Sequence, residues 1–195
     1  MKKLSIYLNA VLAFSILIGI SGNLSAQDKE VPKSLPASAT QQVGTETNIT
    51  IDYSRPGVKG RKIWGELVPW GLQPGNKYSK EKPFPWRAGA NKNTTIEFNT
   101  DILIEGNKLP AGKYSIHMIP DEKDKWTVIF NKKNDLWGSY AYNVDDDALR
   151  IKVIPVKASH EEWLLYGFDN LEGTSATAYL HWADLKVPFK VAIVK

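Results

Sequence analysis

Three arginines, Arg55, Arg61 and Arg87, fall within one stretch that also carries Trp64, Trp70 and Trp86. A guanidinium presents a planar fork of donors that fits carboxylate, sulfate or phosphate, and it also stacks on aromatic rings. Tryptophan rings offer the same flat apolar face to a sugar. With Asn91 closing the stretch, these residue types describe a site for an anionic or carbohydrate ligand, built from Arg55, Arg61, Trp64, Trp86, Arg87 and Asn91. The same residues have a plainer use. A long segment outside a β-ladder must still satisfy its backbone carbonyls, which arginines do well, and tryptophan is highly buried on average. A packed cap is therefore the expected state, with tryptophans turned inward and arginines bonded to carbonyls and acidic side chains. An open site is the sharper alternative.

The surrounding composition supports an ordered loop. Arg55–Asn91 holds five of the 11 prolines, six of the 14 glycines and three of the seven tryptophans. It carries eight Lys/Arg against two Glu, a local charge of +6. Segments this long without strands of their own are uncommon in compact domains and are usually functional or disordered. Three tryptophans argue for order. Gly57, Gly60 and Gly89 suit turns that need positive φ, with an anion-binding nest of backbone amides as the functional alternative. Neither a P-loop nor a dinucleotide fingerprint is present.

Other chemistry finds less support. His117 and His181 both read as mid-strand residues and are the candidates for metal ligation if their strands adjoin. No histidine pair has the close spacing of zinc motifs, so polar-face or satisfied core histidines are the preferred reading and no cofactor is expected. The chain has no cysteine and no Gly-x-Ser-x-Gly elbow, and Ser54 has no histidine near it in sequence. Glu97, Asp101, Glu105, Glu161 and Glu162 include no pair that spacing selects for glycoside hydrolysis. Asp145-Asp146-Asp147 lacks the alternation of a calcium loop and reads as a solvated charge run.

The elements that must position these residues are strands. Ile49, Ile51 and Tyr53 alternate with Thr50 and Asp52, giving one buried face. Similar patterning marks Ala39–Val43, Thr94–Phe98, Asp101–Ile104, Lys113–Ile119 and Trp126–Phe130. It continues through Leu149–Ile154, Trp163–Phe168, Ala176–Trp182 and Val187–Val194, where Pro188 suggests an edge or a strand start. Gly106-Asn107 and Pro110-Ala111-Gly112 are turn signals. Only Ile63–Val68 and Asp145–Leu149 could form short helical turns, and Asn131–Ala148 is a polar connection. The expected fold is all-β, a single antiparallel β-sandwich or flattened barrel of about nine short strands with one long ordered loop.

The first 26 residues read as a signal peptide: Met1-Lys2-Lys3, an apolar run over Ala10–Ile20, and a small-residue site at Leu24-Ser25-Ala26. That run is too short for a span, which needs about 20 residues, and no cysteine follows it for lipid attachment. Residues 27–36 read as a flexible leader and 37–195 as the sandwich domain, periplasmic or secreted, with no membrane span after cleavage. Without cysteine, stability must come from burial and hydrogen bonding. The loop's +6 exceeds the whole mature chain's charge, so the basic balance is local, and a nucleic-acid partner is not expected.

Several blocks in order resemble one family: Tyr53-Ser54-Arg55-Pro56, Val58-Lys59-Gly60-Arg61, Leu67-Val68-Pro69, Trp86–Asn91, Leu109–Tyr114, Trp126–Asn131 and Trp137-Gly138. It is the exported bacterial domain-of-unknown-function family numbered 2911, abundant in Bacteroidetes, and the resemblance runs from about Pro36 to the C-terminus. It implies a β-rich extracytoplasmic domain and carries no catalytic residues over. Leu72–Pro85 looks longer than the link many members have at that place.

Together these readings favour a non-catalytic binding or interaction module of the bacterial envelope, using the basic-aromatic loop, with Trp137 and the Asn131–Ala148 connection as a candidate extension of that surface. An envelope hydrolase acting on glycan or peptide is one alternative, and a structural β-domain assembling through an edge strand is another. The sequence does not decide the oligomeric state.

Overall fold

The architecture comes from a computed structural model, which describes residues 31–194. The signal peptide expected over 1–26 and residues 27–30 of the leader lie outside the described residues. Ten strands follow in chain order: β1 (Leu35–Val43), β2 (Thr47–Arg55), β3 (Thr94–Phe98), β4 (Ile102–Ile104), β5 (Asn107–Leu109), β6 (Gly112–Ile119), β7 (Trp126–Asn131), β8 (Asp147–Val153), β9 (Val156–Asp169) and β10 (Ser175–Ile193).

They form two antiparallel sheets, one ordered β1-β2-β3-β6-β7-β8 and the other β5-β4-β10-β9. The fold is an all-β sandwich, not a closed barrel. Period-2 alternation puts Ile49, Ile51, Ile96, Phe98, Ile116, Met118, Val128 and Phe130 on the inner face of the six-stranded sheet. Ile102, Ile104, Leu164, Tyr166, Leu180, Trp182, Phe189 and Val191 answer from the other. All are buried, and at about 25 cal/mol per Å² of apolar surface this burial is the main source of stability in a chain without disulfides.

The strand pattern departs from expectation in instructive places. The two strands read over Ala176–Trp182 and Val187–Val194 are one, β10, which pairs with β9 from Thr177 to Lys186 and with β4 from Val191 to Ile193. Pro188 sits at the handover, outside both ladders, so its missing N–H costs no strand bond. A bulge at Ala183, whose φ is +52°, shifts the register within the β9 ladder. Strand β1 begins at Leu35, inside the expected leader, and β9 begins at Val156, well before Trp163. Ile63–Val68 closes on itself as a turn, with the Val68 amide donating to Ile63 at 2.9 Å. One short 3-10 turn occupies Val144–Asp146, where a helical turn was expected; another, Lys77–Ser79, was not.

The long segment between β2 and β3 crosses from one sheet to the other. Leaving β2, Pro56–Val58 pairs with β9: the Leu164 amide donates to Pro56 at 3.0 Å, and the Val58 amide to Glu162 at 2.8 Å. At the far end Trp86 exchanges both backbone bonds with Met118 at 2.8 Å each, extending the β3 line beside β6. The sandwich is thus closed at this end by backbone from its own connection.

Candidate functional site

The tryptophans of the loop enter the core. Trp64 is 8% and Trp86 7% exposed. Trp64 packs edge-on against Trp86, Trp126 and Trp182 at centroid separations of 5.8, 5.0 and 5.9 Å. Trp86 stacks on Trp182 at 6.1 Å, and Trp70 lies 6.3 Å from Trp126. Offset and edge-to-face pairs each add stabilisation of about 0.5–1.5 kcal/mol beyond area burial. Gly65, with φ +84°, makes room for Trp70, because a Cβ there would meet its indole nitrogen.

The arginines hold backbone. Arg55 donates from Nε to the Leu164 carbonyl at 2.9 Å and from Nη2 to Trp163 at 3.2 Å, tying β2 to β9. Arg61 donates to the carbonyls of Val58 at 3.1 Å and Gly57 at 2.5 Å. These bonds brace the turn Val58–Arg61, whose central residues Lys59 and Gly60 have φ of +49° and +69°, as a type I′ turn requires. Arg87 donates to the Asn91 carbonyl at 2.7 Å, lies 4.9 Å over the Tyr140 ring, and rests against Gly138. Asn91 donates from its side chain to the Ser34 carbonyl at 3.1 Å.

Between these anchors the block Trp86–Asn91 is fixed in an unusual conformation. Ala88 is fully buried with φ +50°, a left-handed geometry that costs a residue with a Cβ about 1–2 kcal/mol. Its carbonyl is gripped by Thr94 Oγ1 and by the Tyr166 hydroxyl, each at 3.0 Å. Burial, aided by the nearby Tyr53 ring, raises the Tyr166 phenol well above its ordinary value, so it remains a donor. Backbone strain held by surrounding bonds is often found where a site must be shaped.

A cavity of about 560 Å³ opens over this block. Trp86 and Trp182 lie at its floor, with Leu67, Val68 and Pro56 as apolar walls. Lys33, Lys59, Arg61 and Arg87 supply its charge, and among the described residues no carboxylate lines it. Two acids of β9 are used elsewhere: Glu162 accepts from the Lys59 amide at 2.8 Å, which holds its carboxyl below the usual range, and Glu161 lies 3.9 Å from Arg55. Of the six residues singled out from sequence, Arg61, Trp86, Arg87 and Asn91 meet at the cavity, whereas Arg55 and Trp64 do not line it. Reading the sequence missed Lys33, Lys59 and Trp182. Lys59 had a signal in its Val-Lys-Gly-Arg turn; Lys33 and Trp182 had none, being brought in from the leader and from β10.

The histidines do not combine. His117 faces outward from the six-stranded sheet, opposite in sense to Ile116 and Met118, and is buried beneath the connection between β7 and β8. Its Nδ1 lies 2.7 Å from Ser139 Oγ and its Nε2 2.9 Å from Ser115 Oγ. Because Ser115 donates its hydroxyl proton to the Lys133 carbonyl at 2.8 Å, Nε2 carries the histidine's proton and Nδ1 accepts from Ser139. Burial lowers its pKa to about 4, so it is neutral. His181 belongs to the other sheet, with Nε2 2.9 Å from the Ser159 carbonyl. The two rings lie in separate sheets, each with its own protein partners, and among the described residues no three His, Cys, Asp or Glu side chains converge on a point.

A family model described as Protein of unknown function (DUF2911) matches residues 34–191. The chain belongs to this family. The match spans every strand but the last residues of β10, so the loop and every residue lining the cavity except Lys33 lie within the DUF2911 match. No curated protein and no solved structure matches the chain.

Proposed function

We propose that this DUF2911 protein is an exported, non-catalytic binding module that holds an acidic ligand in the Lys33/Lys59/Arg61/Arg87 cleft. The observation that carries the reading is the lining itself: four cationic side chains and, among the described residues, no carboxylate around an apolar surface of paired tryptophans. The volume falls in the range of small-molecule sites, which combine an apolar surface with a few placed polar groups. A ligand with a ring or apolar body and one or two acid groups satisfies both parts. Export follows from the N-terminal sequence pattern. Among the described residues no helix is long and apolar enough to cross a membrane. The hydrolase alternative would gain support from His117, His181 and a carboxylate brought together, whereas the two rings belong to separate sheets with separate partners.

Lys33 and Lys59 provide the cleanest test, because both are exposed and neither side chain anchors backbone, unlike Arg55, Arg61 and Arg87. Calorimetric titration of the chain with glucuronate and with inorganic phosphate should give saturable, salt-sensitive binding. The double variant K33E/K59E should lose it while melting within a few degrees of the parent, the shift reflecting loss of the Lys59 contact 5.4 Å over the Trp163 ring. Equal affinity in parent and variant overturns the reading.

A further inference from the structure

Beside the cleft lies a second concavity of about 580 Å³, walled by Tyr78, Leu136, Trp137, Tyr140 and Ala141. Two of its rings face solvent: Tyr78 is 66% and Trp137 61% exposed. Tryptophan is seldom left so open, and such rings on a monomer surface mark contact sites. The backbone beneath them is firmly held. Asn93 takes the Leu136 carbonyl with its amide at 3.1 Å and the Gly138 carbonyl with its side chain at 3.0 Å. Gln73 and Phe84 exchange backbone bonds at 2.8 and 3.2 Å, closing the base of the sub-loop that carries Tyr78. At the tip, Asn76 caps the Lys77–Ser79 turn through Tyr78 and Ser79 amides at 2.9 and 3.2 Å. Tyr78 then lies 5.4 Å from Tyr140, and Tyr140 5.3 Å from buried Phe84.

One side chain separates the two concavities. Arg87 lines the basic cleft, while its guanidinium covers Tyr140 at 4.9 Å and presses on Gly138, the neighbour of Trp137. A ligand leaving the cleft over Arg87 therefore arrives on Tyr140, Tyr78 and Trp137. We infer that the aromatic groove is a second subsite of the same ligand, which makes that ligand an acidic oligosaccharide: its uronate-type unit sits in the cleft and the adjoining sugar ring stacks on Trp137 and Tyr78. The inference rests on the binding function proposed above. Sugar suits the groove because a pyranose presents C–H faces to an aromatic plane while its hydroxyls stay in water, which exposed rings permit. Besides the three rings, an apolar peptide would find only Leu136 and Ala141 to bury against, and the flanking Lys77 and Arg87 favour an acidic chain over a neutral one.

The test is a length series of uronic-acid oligomers, from one to four units, titrated into the full chain, with a neutral glucan tetramer as control. Affinity should rise about tenfold between the monomer and the tetramer, in keeping with a single aromatic stacking contact. Trp137→Ala should remove that rise and leave the monomer's affinity unchanged; Tyr78→Ala should repeat the result if Trp137→Ala lowers the melting temperature. K33E/K59E should weaken every member of the series. Affinity that is independent of length, or a tetramer insensitive to both aromatic variants, overturns the inference while leaving the cleft intact. If phosphate binds and no uronate of any length does, the inference fails and the anion site stands. If no anion binds at all, both fail.

Discussion

The Arg55–Asn91 segment and the connection between β7 and β8 both run a long way without strands of their own, yet they are secured by opposite means. The first sends Val58, Ile63, Trp64, Val68, Trp86 and Ala88 into the sandwich core, and its charged side chains remain at the rim. The second covers the outer face of β6 and β7 with polar chemistry. His117 is bonded to Ser139, Asn131 donates to the Asn143 carbonyl at 3.0 Å and to Asp147 at 2.7 Å, and Tyr142 donates to Asp147 at 2.7 Å. Burial and the Asp147 carboxylate push the Tyr142 phenol well up, so it stays a donor. Non-directional burial tolerates small displacements, whereas a buried hydrogen-bond chain depends on every member. One connection belongs to the core; the other is a satellite held by protonation state.

Three perturbations separate these modes. The largest effect should come from Trp64→Ala, which removes a ring touching three other tryptophans; a loss of about 3–5 kcal/mol is expected by urea unfolding. A loss under about 1 kcal/mol would show that the segment is not part of the core. Acid should act on the other connection. The folded pKa of His117, about 4, lies below the unfolded 6.5, so its stabilising contribution is complete above pH 6.5 and disappears progressively as pH falls to about 4. That difference corresponds to about 3 kcal/mol, and His117→Gln should lack this part of the pH dependence while the remaining carboxylate titrations persist. Identical acid profiles for parent and variant would refute the assignment. Gly138→Ala should have the smallest effect, about 1–2 kcal/mol, because its φ of +68° and the Arg87 guanidinium both oppose a Cβ. The test of its cause is the double variant with Arg87→Ala, in which part of the loss should be recovered.

The contrast also explains what could be read from sequence. Period-2 patterning locates nearly every strand, because inner-face residues such as Ile49, Ile51 and Tyr53 must alternate. It divides β10 in two because a proline ordinarily interrupts a ladder, and the change of partner that excuses Pro188 is a tertiary fact. Gly60 is legible as a turn residue because glycine takes positive φ freely, whereas the left-handed Lys59 beside it is not, since lysine has no preference for that region. The packed state of the loop is legible from its tryptophans, as their burial is a general tendency. The cleft is legible only in part. Arg61, Trp86, Arg87 and Asn91 share one segment, but Lys33 and Trp182 come from opposite ends of the described chain, and no local spacing connects them. Nothing in the run around Trp137 tells that Arg87 lies on Tyr140, because that contact joins two connections across the fold.

The crossing of the β2–β3 connection from one sheet to the other has a consequence for how the molecule forms. Strands β2 and β3 are neighbours, as Ile51 opposite Ile96 shows, yet nearly forty residues separate them. Closing a flexible loop of that size costs about 3 kcal/mol of chain entropy, which a few early ladder bonds do not offset. Docking of Trp64 against Trp126 and Trp182 has to accompany the pairing, and Trp182 belongs to β10, near the end of the chain. Such non-local dependence slows folding in β-sandwiches. On a ribosome, this sandwich cannot close until β10 has emerged.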